Sequence, residues 1–212
     1  MKNNLKLSYI TPRPKHYKQD PKKQEEFKEE INEINNDYDL VLFMDESRFR
    51  THSNTGYGWF PCGTRTTVKV SIGYENFYVY SAVSSSNGYN FNLIMPNVDS
   101  DCMTSFLKEF SLDNNGKNIL LIADGASWHN SKTLEIPENI SIVKLPPYSP
   151  ELNPTERLFQ HMKEKIIKNK LWTTISELKD NTISFIKEIT NDQVASICAC
   201  NYIITENVKM NL

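Results

Sequence analysis

Long apolar runs are missing from this sequence of 212 residues. The two longest, residues 40–44 and 119–123, hold only five apolar residues each. A helix that crosses a bilayer needs ~20 such residues. The Lys- and Asn-rich start also lacks the apolar stretch of a secretory signal. We therefore expect an intracellular, cytoplasmic protein with no membrane segment.

Cysteine is scarce, and its spacing matches no common framework. None of the four cysteines forms a C-x-x-C pair or has a histidine partner at zinc-finger spacing. This pattern argues against both a disulfide scaffold and a structural zinc site. We expect buried thiols at Cys62, Cys102, Cys198 and Cys200.

Neither sign of charge is in large excess. Lysine and arginine number 24 and acidic residues 26, which gives a net charge of −2. A dedicated nucleic-acid binder usually carries an excess of cations, because it must neutralise phosphates. The average nevertheless hides two basic segments, residues 1–23 with seven Lys and Arg and residues 157–170 with five.

The order of apolar patterns predicts an α/β fold. Runs 40–44 and 119–123 show no alternation, which is typical of strands buried on both faces of a sheet. Thr64–Ile72 and Phe77–Ser84 read as a hairpin, and 89–95 and 140–145 as further strands. We expect helices at 20–35, 100–112 and 153–170, then one opened by a Thr174–Glu177 capping box and one capped by Asn191.

Both apolar runs end directly in an aspartate, Asp45 and Asp124. If the two strands are parallel neighbours, both carboxylates emerge at the carboxyl edge of the sheet, where open α/β sheets usually bind ligands. A pair of close carboxylates favours a hard cation such as Mg²⁺ or Mn²⁺. Each aspartate taken alone is equally well explained as a turn residue.

Glu156 could supply a third carboxylate. It follows Asn153-Pro154, a pair that predicts a helix start, and an acidic residue there is also common as a capping group. Three carboxylates from two strand ends and one helix start are nevertheless what a two-cation phosphodiester site requires, with the ions ~3.5–4 Å apart. We therefore predict a metal site at Asp45, Asp124 and Glu156.

Three blocks around these acids resemble a known family. Residues 44–47, 122–129 and 145–157 read MDES, IADGASWH and LPPYSPELNPTER. They are similar to the signatures of mariner-like transposases, especially the bacterial insertion-sequence relatives, over roughly residues 13–169. The resemblance implies a ribonuclease-H-like mixed β-sheet flanked by helices. It divides the chain into a basic arm and linker helix (1–38), a catalytic core (39–172) and C-terminal helices that pack on the core (173–212).

The resemblance also implies an activity, that of the catalytic domain of a cut-and-paste DNA transposase. Asp45 would bridge two Mg²⁺ or Mn²⁺ ions, with Asp124 and Glu156 each completing one. A metal-bound water would cut the element's end, and the freed 3′-hydroxyl would attack target DNA. Two alternatives stay open: a ribonuclease-H-like nuclease without strand transfer, and a truncated, non-catalytic remnant that dimerises with the full-length enzyme.

Several further side chains could contact DNA. Gln160 and Lys163 follow Glu156 at i+4 and i+7 on one helix face, with Arg157 beside them, although such a face can also be merely solvated. Cations of the N-terminal arm could do the same, or the arm could be a plain tether; they are Arg13, Lys15 and Lys18. His129 stands where the family motif also has histidine, as an active-site neighbour or a structural residue.

The sequence departs from the family in two ways. Only 31 residues separate Asp124 from Glu156, so we expect a short loop after the second acid. The family's N-terminal helix-turn-helix half also looks absent, which suggests a separate or frameshift-fused DNA-binding part.

The expected partners are DNA, at the nucleoid, and a second copy of the chain. In the family the region of Trp59 and Phe60 forms a dimer-contact loop; packing within the monomer is the alternative.

Overall fold

Five strands form one mixed sheet in the order β3-β2-β1-β4-β5. The structure is a computed structural model and describes residues 17–125, 134–200 and 202–203. Its strands are β1 (Leu40–Arg50), β2 (Asn76–Val83), β3 (Asn90–Met95), β4 (Ile119–Ala123) and β5 (Ile140–Lys144). Its helices are α1 (Pro21–Ile34), α2 (Ser100–Asp113), α3 (Thr155–Ile166), α4 (Ile175–Glu188) and α5 (Asn191–Cys198).

The centre of the sheet is the parallel pair β1 and β4, so the two apolar runs are neighbours, which was the condition for bringing Asp45 and Asp124 together. Their register aligns Leu40 with Ile119 and Met44 with Ala123. Strand β5 continues the parallel part beside β4, whereas β2 and β3 add an antiparallel meander on the other side of β1. All five residues of β4 are buried, which explains why its sequence does not alternate.

Helices cover both faces of the sheet. On one face, Leu42 and Met44 of β1 pack with Phe106 and Phe110 of α2. On the other, Phe43 of β1 belongs to the apolar cluster that includes α3 and residues of α1, α4 and α5. Because successive strand residues point to opposite faces, β1 contributes to two separate cores. No helix in the described ranges is both long and apolar enough to span a bilayer.

The predicted hairpin between residues 64–72 and 77–84 is wrong. Strand β1 continues past Met44 to Arg50 and pairs with β2 over eight residues, so β1 takes the position expected for 64–72. Residues 51–75, hereafter the 51–75 loop, leave the sheet and return, and Ser53 N donates to Ser71 O at 2.9 Å. The side chains of Tyr57 and Trp59 are fully exposed, so Trp59 does not pack within the described part of the monomer.

The helix boundaries differ from the predicted ones mainly at α3 and α5. Helix α1 has Asp20 as its N-cap, and α4 opens with the Thr174–Glu177 capping box; both features are confirmed. Helix α3 ends at Ile166 instead of near residue 170, and α5 is capped by Thr190 because its side chain accepts from Gln193 N. The expectation of buried thiols fails at Cys62, which is exposed.

Candidate active site

Asp45 and Asp124 lie at adjacent positions on the two central parallel strands. Met44 and Ala123 are register partners, so the residues that follow them emerge side by side. Asp124 comes directly after β4, whereas Asp45 lies inside β1, which continues beyond it. The aspartate at position 45 therefore does not end its strand, and a turn role no longer explains it.

Glu156 is brought to the same edge by the start of α3. The buried Thr155 side chain donates from Oγ1 to Phe43 O at 3.0 Å. The buried Asn153 amide donates from Nδ2 to Met44 O at 3.2 Å and accepts from Thr155 N at 3.1 Å. These bonds tie the helix start to the strand residues that precede Asp45.

This junction was only partly predictable. The sequence indicated a helix capped by Asn153, with Glu156 as its third residue. Helix α3 instead begins at Thr155 with Pro154 as the cap residue, so Glu156 is its second residue. The polar residues Asn153 and Thr155 are visible in the sequence. The sequence does not show, however, whether such side chains cap their own helix or bond to the backbone of a distant strand.

The three acids line one cavity of about 410 Å³. Its remaining wall comes from Gly125, Asn153 and the proline-rich segment 145–150. Within the described ranges, no lysine, arginine or histidine lines this cavity. The described part of the site therefore concentrates negative charge.

The pKa of Asp45 reflects this concentration. Burial, followed by the charge of Glu156, raises it from 3.8 to about 7, with a smaller contribution from Asp124. The Glu46 backbone N–H donates to Asp45 Oδ1 at 2.8 Å and partly opposes the rise. Among the carboxylates that surround Asp45, Glu156 has the larger effect.

The acids fit a hard divalent cation by their chemistry. All three offer only carboxylate oxygens, the ligands that Mg²⁺ and Mn²⁺ prefer, and a cation would relieve the repulsion that raises the pKa of Asp45. In the part of the chain that the structure describes, no three His, Cys, Asp or Glu side chains already converge on a single ion position.

A second cavity of about 470 Å³ extends from Glu156 along α3 and contains Gln160 and Lys163. The half-buried Lys163 has its Nζ 5.7 Å from the centroid of the Phe49 ring. Desolvation lowers the pKa of Lys163, while the charges of Glu156 and Asp45 act in the opposite direction. The structure thus places two of the predicted DNA contacts, Gln160 and Lys163, next to the acids.

Arg157 also lines this groove, but its guanidinium is bonded to the backbone at the end of α5. Its guanidinium donates to Cys198 O at 3.0 Å and to Ala199 O at 2.6 Å, so it caps the C-terminal end of α5. Arg157 therefore stabilises the end of α5, and its contact with DNA stays a prediction.

The other predicted contacts are distributed along the N-terminal arm and the loop after β4. Lys18 lies at the rim of the acid cavity, with its Nζ 6.0 Å from the ring centroid of Tyr148, a residue of the cavity wall. Arg13, Lys15 and His129 lie outside the described residues.

Residues 40–179, about two thirds of the chain, match the family described as DDE superfamily endonuclease. The chain belongs to this family. The matched range contains both aspartates, Glu156 and the 51–75 loop. A further relative is an uncharacterized protein of Sinorhizobium fredii, y4pE/y4sA, which is 35% identical over 103 residues. That alignment covers 48% of this chain and 76% of the relative.

This DDE endonuclease has a fold similar to that of the Mos1 mariner transposase catalytic domain. The crystal structure of that domain superposes with a TM-score of 0.57 at 11% sequence identity. The superposition covers 89% of this chain and 91% of the Mos1 domain. The Mos1 mariner paired-end complex with Mn superposes with a TM-score of 0.65 at 13% identity. The Mos1 strand transfer complex superposes with a TM-score of 0.66 at 14% identity. Both alignments cover 93% of this chain. The chain spans 64% and 63% of those two Mos1 chains, respectively.

Residues 4–31 match a second family, described as winged helix-turn helix. The sequence pattern predicts an arm and a linker helix there, and it predicts that the family's helix-turn-helix half is absent. The match contradicts the expected absence, because it includes most of the arm and most of α1. In the structure α1 buries Phe27 and Ile31 in the apolar cluster beside the sheet, so this helix packs on the sheet domain.

Proposed function

We propose that this DDE endonuclease is the catalytic domain of a cut-and-paste DNA transposase, which cleaves DNA and joins the freed end to a target. The observation that carries the proposal is the gathering of Asp45, Asp124 and Glu156 around one cavity without a cationic side chain in the described ranges. The groove with Gln160 and Lys163 begins at the same glutamate, which supports a nucleic-acid substrate.

Asp45, Asp124 and Glu156 are the residues that would hold two divalent ions, Mg²⁺ or Mn²⁺. Such ions would activate the attacking oxygen and stabilise the leaving oxygen of a phosphodiester. The Mn complex of Mos1, which shares the fold, supports this assignment. In the joining step, a 3′-hydroxyl forms a bond to a target phosphorus while the bond from that phosphorus to the target's 3′-oxygen breaks.

The other residues of the site position the acids and the DNA. The bonds from Asn153 and Thr155 to β1 hold Glu156 close to Asp45 before any ligand binds. Lys163 and Gln160 would bind the DNA backbone beside the reacting phosphate, because a backbone phosphate accepts from both ammonium and amide donors. Arg13, Lys15, Lys18 and Arg157 remain predicted DNA contacts, and His129 remains a predicted neighbour of the active site.

The proposed partners are DNA, with the protein acting at the nucleoid, and a second copy of this chain. Large apolar side chains on the 51–75 loop are exposed, namely Tyr57, Trp59, Phe60, Val70, Ile72 and Tyr74. The base of the loop is held by Asn169, which accepts from Gly56 N at 2.9 Å and donates to Gly56 O at 3.1 Å. A fixed base with an apolar surface suits a dimer contact, as the resemblance to mariner-like transposases implies.

A strand-transfer assay tests the proposed function. A labelled duplex that ends in the element's terminal inverted repeat, with a free 3′-hydroxyl, is incubated with a target plasmid and Mg²⁺ or Mn²⁺. We expect joined products from the wild type and none from Glu156→Gln. Cleavage without joining would instead indicate a nuclease, and a folded protein with neither activity would indicate a non-catalytic regulator.

A further inference from the structure

A third cavity lies beyond Lys163 and is lined mainly by cationic side chains. It measures about 240 Å³, and its walls are Arg48, Arg50, His52, Asn54, Lys163 and Ile167. The two arginines come from the end of β1, the part that continues past the first predicted strand. We call Arg48, Arg50 and Lys163 the cationic cluster.

The cationic cluster is continuous with the acid cavity. Glu156 lines both the acid cavity and the groove along α3, and Lys163 lines both that groove and the third cavity. Glu156 and Lys163 are seven residues apart on one helix, which corresponds to about 10 Å along its axis. The cationic cluster therefore begins about 10 Å from Glu156, a separation that one DNA strand can span.

No carboxylate in the described ranges forms an ion pair with the cationic cluster, although the charges of Glu156 and Asp45 act on Lys163 from a longer distance. None of the side-chain ion pairs in the described ranges includes Arg48, Arg50 or Lys163. Glu164 lies in the adjoining groove but pairs with Lys168 at 2.9 Å. Arg50 is close enough to Lys163 for its charge to lower the pKa of that lysine. Cations that repel one another around one cavity favour an anion between them.

We infer that Arg48, Arg50 and Lys163 bind successive phosphates of the DNA strand that leads away from the acid cavity. Arginine suits this role because its planar guanidinium donates two parallel hydrogen bonds to a phosphate. The inference rests on the proposed function for the identity of the ligand. It adds Arg48 and Arg50, which the sequence did not single out, to the expected DNA contacts.

The salt dependence of DNA binding measures such contacts directly. Each phosphate contact contributes about 0.9 to the slope of log K against log salt concentration. We compare wild type with Arg48→Gln/Arg50→Gln on a short duplex of random sequence, by fluorescence anisotropy without divalent metal. The slope should fall by about two for the double variant. Between about 50 and 200 mM salt, the wild type should then lose roughly tenfold more affinity than the variant.

The matched control is Lys179→Gln/Lys187→Gln, which removes the same charge from exposed positions on α4. Its slope should equal that of the wild type. An unchanged slope in Arg48→Gln/Arg50→Gln, an equal fall in the control, or no measurable DNA binding by the wild type would each overturn the inference. Both arginines are exposed, so the variant should unfold at the wild-type temperature.

Binding and strand transfer are separate readouts, so the two proposals can fail independently. A wild type that binds DNA with the expected slope but joins no ends would overturn the proposed function and leave the cationic cluster supported. A wild type that joins ends while the double variant keeps the full slope would overturn only the assignment of the cluster.

Discussion

Replacing Asp45 by asparagine should stabilise the metal-free protein at neutral and alkaline pH. The native pKa of about 7 lies above the value of 3.8 for an ordinary aspartate. Between these values the folded chain holds a proton that the unfolded chain releases. Stability therefore falls as the pH rises through this window, and the full penalty is present above it.

The size of the effect follows from the pKa difference. A rise of about three units corresponds to at most about 4 kcal/mol, at 1.36 kcal/mol per unit. Because the side chain retains some contact with solvent, we expect Asp45→Asn to raise the free energy of unfolding by about 2–4 kcal/mol at about pH 8. At about pH 5 the native aspartate is mostly protonated, so less than half of this gain should remain.

Urea unfolding with EDTA at the two pH values measures the gain, and Asp180→Asn on the exposed face of α4 is the control. The control should change stability by no more than about 0.5 kcal/mol at either pH. Added Mn²⁺ should stabilise the wild type and leave Asp45→Asn almost unaffected. A variant no more stable than wild type at alkaline pH, or a gain equal at both pH values, would refute the electrostatic account of this site.

Two further predictions concern the junction at α3 and the 51–75 loop. Thr155→Val removes the hydroxyl that donates to the buried Phe43 O at 3.0 Å, so it should lower the free energy of unfolding by about 1–3 kcal/mol. Thr155→Ser keeps the hydroxyl and should lower the free energy of unfolding by less. Chemical denaturation compares the two, and equal losses would show that the hydroxyl is not what matters. Trp59→Ser should leave the unfolding free energy within about 0.5 kcal/mol of wild type, because the ring is fully exposed. Sedimentation velocity should show a weaker dimer for this variant, and an unchanged dimer would exclude Trp59 from the contact.

The central part of the fold was predictable because its signals are local. Two uninterrupted apolar runs of five residues predict the strands β1 and β4, and the aspartates that follow these runs are two of the three predicted acids. The hairpin at 64–84 was not predictable from the local pattern, because β2 has two possible partners. The longer pairing with β1 prevails in the structure, where Phe49 and Phe77 stack at 5.7 Å between ring centroids.

Residues that act across elements were the ones that sequence reasoning missed. Arg48 and Arg50 belong to an extension of β1 that follows Asp45, where the apolar run has already ended. Their proximity to Lys163 depends on how α3 crosses the sheet. Asn153 was recognised as a cap, but its bond to Met44 O joins residues 109 positions apart. Arg157 resembled its basic neighbours in sequence and differs from them only through the position of α5.

The most direct test of this account is metal-dependent nicking of a supercoiled plasmid by the purified chain. We expect nicking with Mg²⁺ or Mn²⁺ and none with EDTA. Asp45→Asn, Asp124→Asn and Glu156→Gln should each reduce nicking to the EDTA background, whereas Asp180→Asn should nick as the wild type does. If any of the three acid variants, shown to be folded, keeps wild-type nicking, these acids are not the catalytic centre.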